Sequence, residues 1–194
     1  MAGAQETQVL DAVKRCCARW GVAKVTIDDI ATESGVSRAT LYRMFPGGKD
    51  VLFEALRLRE LEEFFTAMRT DVEDVADLEE LIVRCVVVAT RELRADQHLA
   101  MMMASEPGAV LGQLTVEGLP RIIRVGTVFL APLADRFLPR RHSARLVELL
   151  SRLVISYFLA PSARIDLGDP KSARPFVRAF VLPAFNHLQR STTS

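Results

Sequence analysis

The sequence predicts an all-α protein with a small N-terminal head of three helices and a larger helical domain behind it. Apolar residues recur every three to four positions rather than every two, the period of a helix with one buried face. No Asn-Gly or similar hairpin signal joins alternating apolar runs. Glycine and proline fall between the periodic segments, where they act as stops.

Val9, Ala12, Val13, Cys16, Cys17 and Trp20 form one stripe, and Gly21 follows at the position where glycine ends helices. Thr26 with Asp29 three residues on is a capping-box start. Ile27, Ile30 and Ala31 lie behind it and Gly35 ends it, giving a short helix near 28–34. Ser37 caps a third helix through its hydroxyl, which Pro46-Gly47-Gly48 must stop. A longer helix runs from Lys49 to about Arg69, and further helices are expected near 77–94, 97–105, 118–137, 143–160 and 171–188. Pro107-Gly108, Pro139 and the stretch from Pro161 to Pro170 separate these, while Pro132 and Pro183 kink or shorten the helices that contain them. The expected division is a head at 1–50 and a second domain at 51–194. A Ser-Thr tail closes the chain at 191–194.

The 194 residues are 49% hydrophobic and 25% charged, ordinary for a globular chain, with a net charge of +1. Bulk charge therefore gives no sign of a nucleic-acid partner, and any such case must be local. Residues 34–49 carry Arg38, Arg43 and Lys49 and no acid. Cys16, Cys17 and Cys85 are odd in number and two are adjacent, which suits neither a disulfide framework nor a C-x-x-C metal site. A reducing cytoplasm is the expected compartment. No signal peptide is read at the start, and Arg84, Arg124, Glu148 and Arg152 interrupt the most apolar stretches, so no membrane span is expected.

Two short helices joined by Gly35-Val36 have the form of a helix-turn-helix. At about 100° per residue, with Leu41 set inward, Phe45 falls at about 40° on the same side. Ala39 and Arg43 fall near about 160° and about 200°, facing outward, flanked by Thr40 and Tyr42. Leu41 and Phe45 would anchor the helix on Ile27, Ile30 and Val36. Ala39 is small enough to approach base edges and touch a thymine methyl, and Arg43 can donate a bidentate pair to guanine O6 and N7. Thr40 and Tyr42 carry hydroxyls suited to phosphate oxygens. The plainer reading of the same stretch is an ordinary short helix with a solvated face.

Val25-Thr26-Ile27-Asp28-Asp29-Ile30-Ala31, then Gly35-Val36-Ser37, then Thr40-Leu41-Tyr42, Phe45 and Lys49 resemble the DNA-binding segment of the tetracycline-repressor-like (TetR) family of bacterial regulators, over about residues 8–56. The resemblance implies that Thr26, Thr40, Tyr42 and Lys49 contact phosphates, that Arg38, Ala39 and Arg43 face bases or their flanks, and that Ser37 belongs to the same DNA-binding set. It also implies two-fold dimers on a palindromic double-stranded operator. Three residues, Pro46, Gly47 and Gly48, stand between Phe45 and Lys49, one more than in the family's commonest form. A recognition helix of about eight residues touches only a few base pairs, so one copy gives too little contact for typical specific affinity. The second copy must come from dimerisation.

Leu146, Leu150, Leu153 and Tyr157 line one side of the helix at 143–160 while Val147, Val154 and Phe158 line another. The helix at 171–188 behaves alike, with Phe176, Phe180, Ala184 and Leu188 beside Val177, Val181 and Phe185. Both suit a four-helix homodimer interface, to which the family resemblance also points; a thick monomer core is the alternative. Phe64, Phe65, Met68, Met101, Met102, Met103, Phe129 and Leu130 supply adaptable apolar side chains that fill cores and also line ligand cavities. Family resemblance favours a pocket here for a small apolar effector, with Phe64, Phe65, Met68, Met101, Met102 and Phe129 as its candidate lining. It also implies that the helix from Lys49 to Arg69 couples effector to operator.

No enzymatic constellation is present in the sequence. His98, His142 and His187 lack H-E-x-x-H or C-x-x-C partners and are expected at the surface or in caps rather than on a metal. Gly47-Gly48-Lys49 lacks the first glycine of a phosphate-binding loop, and Asp50 stands where Ser or Thr would hold magnesium. Gly108 and Gly112 lack the strand a dinucleotide fold needs. No cofactor or metal is expected. Two functions remain: a ligand-responsive transcriptional regulator, most often a repressor in this family, or an all-helical small-molecule binding or carrier protein. A regulator without ligand control is a variant of the first.

Overall fold

The computed structural model describes residues 3–189, and these are helical with no strand among them. The chain divides into two compact units, Met1–Glu62 and Glu63–Ser194, and the division falls inside one long helix.

The first unit holds α1 (Ala4–Trp20), α2 (Ile27–Ser34), α3 (Arg38–Met44) and the start of α4 (Lys49–Val72). Its core gathers Val9, Val13, Ile30, Leu41, Phe45 and Leu52, each 4% exposed or less. Trp20 is a correction to the expected stripe. Although its angle matches, it is the last residue of α1, and 41% of it stays open with the Arg19 guanidinium 5.2 Å above the ring. The capping box of α2 is complete. Thr26 Oγ1 accepts from the Asp29 N–H at 3.2 Å, and the Thr26 N–H donates to Asp29 Oδ2 at 2.8 Å. At the other end of α2, Gly35 is left-handed at φ 66°, and the Gln8 side chain donates to the Ser34 carbonyl at 2.7 Å, meeting one of the helix's orphan acceptors.

The second unit contains the rest of α4, then α5 (Leu78–Ala95), α6 (Gln97–Ser105), α7 (Pro107–Leu114), α8 (Leu119–Ala134), α9 (Arg140–Leu159), α10 (Pro170–Phe176), a π-helical turn (Val177–Val181) and α11 (Pro183–Gln189). Asp77 and Asp96 cap α5 and α6 through their carboxylates. Three expectations are corrected. Pro107-Gly108 does end the run of α6, but it also opens an unexpected helix, α7, because a missing N–H costs nothing in the first helical turn. Pro139 caps α9, which therefore begins at Arg140. The expected helix at 171–188 is three pieces. Pro183 has no N–H to continue the α-helical ladder, and the Leu182 N–H instead reaches the Val177 carbonyl at 2.8 Å, five residues back. Pro132 lies inside α8, which ends two residues later. The Ser-Thr tail at 191–194 lies outside the described residues.

Two arginine clamps fix the C-terminal segment on α5. Arg174 donates to Glu79 at 2.9 Å and Glu80 at 2.5 Å, and Arg178 donates to both Glu79 oxygens at 2.9 and 2.8 Å. Further along α5, Arg91 donates to the Gly168 carbonyl and Arg94 to Asp166, holding the loop that buries Leu167.

Candidate nucleic-acid interface

The recognition helix is fixed from below and open above. Leu41 and Phe45 are 1% and 4% exposed within the head core, with Val36 and Ile30 in the same cluster and Ile27 partly buried against it. Arg38, Ala39, Tyr42 and Arg43 are exposed and Thr40 is half-buried. The helical wheel and the fold thus agree on which side of α3 meets solvent.

Ser37, Thr40, Thr26, Arg38 and Lys49 have defined polar neighbours at this surface. Ser37 Oγ accepts from the Thr40 N–H at 3.3 Å and donates to Thr40 Oγ1 at 3.1 Å, which leaves the Thr40 hydroxyl proton for an outside acceptor. Thr26 Oγ1 donates to Asp29 Oδ2 at 2.6 Å, so its only proton is already engaged. That bond and the Thr26 backbone N–H hold the Asp29 carboxyl below its ordinary range. Arg38 lies against Asp28 with N···O 3.0 Å, an exposed pair that positions the guanidinium beside the start of α2. Asp28 is therefore part of this surface. Its role was not legible from sequence because the pair bridges two helices ten residues apart.

The Pro46-Gly47-Gly48 turn requires both glycines. Their φ angles are 116° and 68°, in the left-handed region. The Gly48 N–H donates to the Phe45 carbonyl at 3.0 Å, and the Leu52 N–H donates to the Gly48 carbonyl at 3.1 Å, so Gly48 both closes the turn and starts α4. Lys49 Nζ donates to the Ala23 carbonyl at 3.3 Å and lies 5.4 Å from the centre of the Phe53 ring. One of its three donors is thus used inside the head, on the loop between α1 and α2.

In the second unit Phe65 is buried, meets Phe64 edge-on at 5.1 Å and stacks on Phe129 at 6.4 Å. Met68 is 3% exposed. Met102 and Met103 pack on a cluster built from Val110, Leu114 and Ile155, while Met101 is 57% exposed. His142 is half-buried, and its Nε2 accepts from Arg141 at 2.9 Å. The side chains of His98 and His187 lie outside the described residues. The three cysteines are buried and free, and burial pushes the Cys85 thiol up to about 12 and that of Cys17 to about 11, far from a reactive thiolate. Among the described residues no helix is long and apolar enough to cross a membrane.

Residues 9–56 match the family model described as bacterial regulatory proteins, tetR family. HTH-type transcriptional regulators of Mycobacterium bovis and Mycobacterium tuberculosis are 33% identical over 120 residues. That stretch spans 58% of this chain and 61% of each relative, less than two thirds of their length. The fold is shared with the TetR family repressor AlkX from a Dietzia species, implicated in biodegradation of n-alkanes (TM-score 0.69, 21% identity, 95% of this chain and 96% of that one). It is shared also with the transcriptional regulator FadR from Bacillus subtilis, solved with stearoyl-CoA (TM-score 0.55, 17% identity, 88% and 96%). The capped two-helix turn and the outward face of α3 lie within residues 9–56, the segment that matches the family model of tetR-family bacterial regulatory proteins.

Proposed function

We propose that the protein is a cytoplasmic transcriptional regulator, acting as a repressor, that binds a palindromic DNA operator as a homodimer and is released by a small apolar effector. Residues 1–50 form the DNA-binding domain and 51–194 the effector-binding and dimerisation domain. The carrying observation is the outward face of α3, where Ala39, Tyr42 and Arg43 stand in solvent beside the half-buried Thr40, on a helix anchored from below by buried Leu41 and Phe45, within a segment free of acids from 34 to 49. Arg43 and Ala39 read bases. Thr40, Tyr42, Lys49 and Thr26 face phosphates, with Ser37 fixing Thr40 and Ala23 holding one donor of Lys49. Arg38 reaches base flanks from its seat on Asp28.

The dimer reading is supported by an aromatic cluster at α9 and the π-helical turn. Tyr157 meets Phe176 at 5.7 Å, and Phe176 meets Phe180 at 5.3 Å, yet Phe180 is 72% exposed and Leu149 on α9 is 39% exposed. So much open apolar surface beside an otherwise packed helix pair suits burial against a second copy. The effector reading is supported by the apolar side chains of the second unit, where Leu99, Met102, Met103, Leu119, Ile122 and Phe158 are only partly buried against Val110, Leu114 and Ile155. Stearoyl-CoA in the FadR neighbour and the n-alkane association of AlkX point to an alkyl or acyl effector. Residues of α4 belong to both units, so an effector that binds one arrangement of α4 more tightly shifts operator affinity by that difference.

The test is a pair of variants measured on operator and random duplex DNA. Arg43→Ala is expected to relax base preference at a cost of about 1 to 3 kcal/mol, and Lys49→Ala to weaken all sequences alike. Unchanged binding in both variants removes the DNA reading. If no alkyl or acyl compound that binds the protein alters its DNA affinity, effector coupling fails.

A further inference from the structure

We infer that Gly48 is a positioning residue of the DNA interface: its bare Cα seats the ring of Tyr42 and so fixes where the phenol hydroxyl meets a phosphate. The inference rests on the proposed phosphate contact of Tyr42. A Cβ built on Gly48 would stand 3.1 Å from Tyr42 Cε1 and 3.9 Å from Cδ1 and Cζ, so the ring edge lies directly over this residue. Gly48 is buried while Tyr42 is 48% exposed. The ring thus covers the glycine with one side and shows the other to solvent.

The backbone here has little room to yield. Gly48 is held by the hydrogen bonds to the Phe45 carbonyl and from the Leu52 N–H, and its φ of 68° is set by the turn. A side chain at 48 would therefore be accommodated by Tyr42, which has open solvent to swing into. A displacement of a few tenths of an ångström at Cε1 becomes a larger one at the hydroxyl, which lies further from the pivot. Gly47 has a different constraint. Its Cβ would meet Val51 Cγ2 at 2.6 Å and no atom of Tyr42 within 4 Å. The two glycines thus divide the work, Gly47 admitting Val51 and Gly48 admitting Tyr42. Across the same turn the Lys49 ammonium is drawn to the Ala23 carbonyl. The extra residue before Lys49 accordingly makes Tyr42 a phosphate contact seated by the turn itself.

The experiment is a double-mutant cycle on random duplex DNA at fixed salt, with Gly48→Asn and Tyr42→Phe singly and together. Asparagine adds a Cβ yet tolerates the left-handed backbone, which separates ring displacement from backbone strain. Tyr42→Phe is expected to weaken binding about fivefold, the typical worth of one hydrogen bond. Gly48→Asn is expected to weaken it by a similar factor, and the double variant no further than either single one. Independent, multiplying losses, or wild-type affinity in Gly48→Asn, overturn the inference. Wild-type protein that binds no duplex DNA in a salt-dependent way fails the proposed function instead. Should Gly48→Asn not fold, the wild-type chain still decides: nuclear Overhauser contacts between the Gly48 α-protons and the Tyr42 ring protons are expected, and their absence overturns the inference.

Discussion

Replacing Gly126 with alanine sets two effects of opposite sign against each other inside α8. Glycine in a helix interior is about 0.8 to 1 kcal/mol worse than alanine, so propensity alone makes the substitution stabilising. The added Cβ, however, would lie 2.8 Å from Phe65 Cζ, 3.0 Å from Phe65 Cε1 and 3.3 Å from Val147 Cγ1. Phe65 cannot retreat easily, because it is 3% exposed and held between Phe64 and the stacked Phe129 ring. Val147 is 4% exposed. Overpacking of this kind costs about 1 to 3 kcal/mol, so the expected net is a loss of about 1 kcal/mol. In a chain of this size that lowers Tm by about 2 to 4 °C, read by thermal unfolding followed by circular dichroism. Phe65→Leu removes the ring edge that the new methyl meets, and in that background Gly126→Ala should be neutral or stabilising. A Gly126→Ala chain that melts above wild type, with the same gain in the Phe65→Leu background, would show that Phe65 does not rest on Gly126.

Thr26→Ala removes the cap of α2 at a cost of about 1 kcal/mol, and Thr26→Ser keeps it; the amide of Asp29 should exchange about fivefold faster in the first and not in the second. Phe180→Ser should leave the folding of a single chain nearly unchanged, since the side chain is 72% exposed, but weaken self-association in sedimentation; the reverse pattern would make Phe180 a monomer core residue. Hydrogen bonds from Arg178 to Glu79 and from Arg174 to Glu80 hold both carboxyls below their ordinary range. A depressed folded-state value stabilises the fold above the unfolded carboxylate value, and that contribution is lost as pH falls through the folded one. Wild type should therefore melt above the Glu79→Gln, Glu80→Gln double variant near neutral pH, and the gap should close once pH falls well below the ordinary carboxylate range. A gap that persists there rules out the carboxylate pairs as its source.

The head was readable in advance because its determinants are local. Thr26 with Asp29, Gly35, Ser37 and Pro46-Gly47-Gly48 each act within about three residues, on backbone groups whose needs follow from helix geometry. The inward Leu41 and Phe45 follow from the same period. What escaped depends on contacts across the fold. The Arg38–Asp28 pair joins two helices, and the Tyr42–Gly48 contact exists only once the turn has folded. Pro107 marks a break in the sequence pattern, but the pattern does not show that the same proline, at a first helical position, starts α7. The segment 171–188 keeps a continuous apolar period through the π-helical turn, so only Pro183 signalled that the ladder changes there. Among the candidate effector residues, Phe65 and Phe129 meet across 64 positions, and the 57% exposure of Met101 depends on how α6 sits, which composition does not encode.

The central claim is that the outward face of α3 reads DNA. Selection of bound sequences from random duplex DNA, repeated with Arg43→Ala, tests it directly. A two-fold symmetric sequence should emerge with wild type, its affinity falling steeply with salt through the phosphate contacts, and the preference should blur at one position in each half-site for Arg43→Ala. Recovery of no common sequence, or of the same symmetric sequence with undiminished preference from Arg43→Ala, would contradict it.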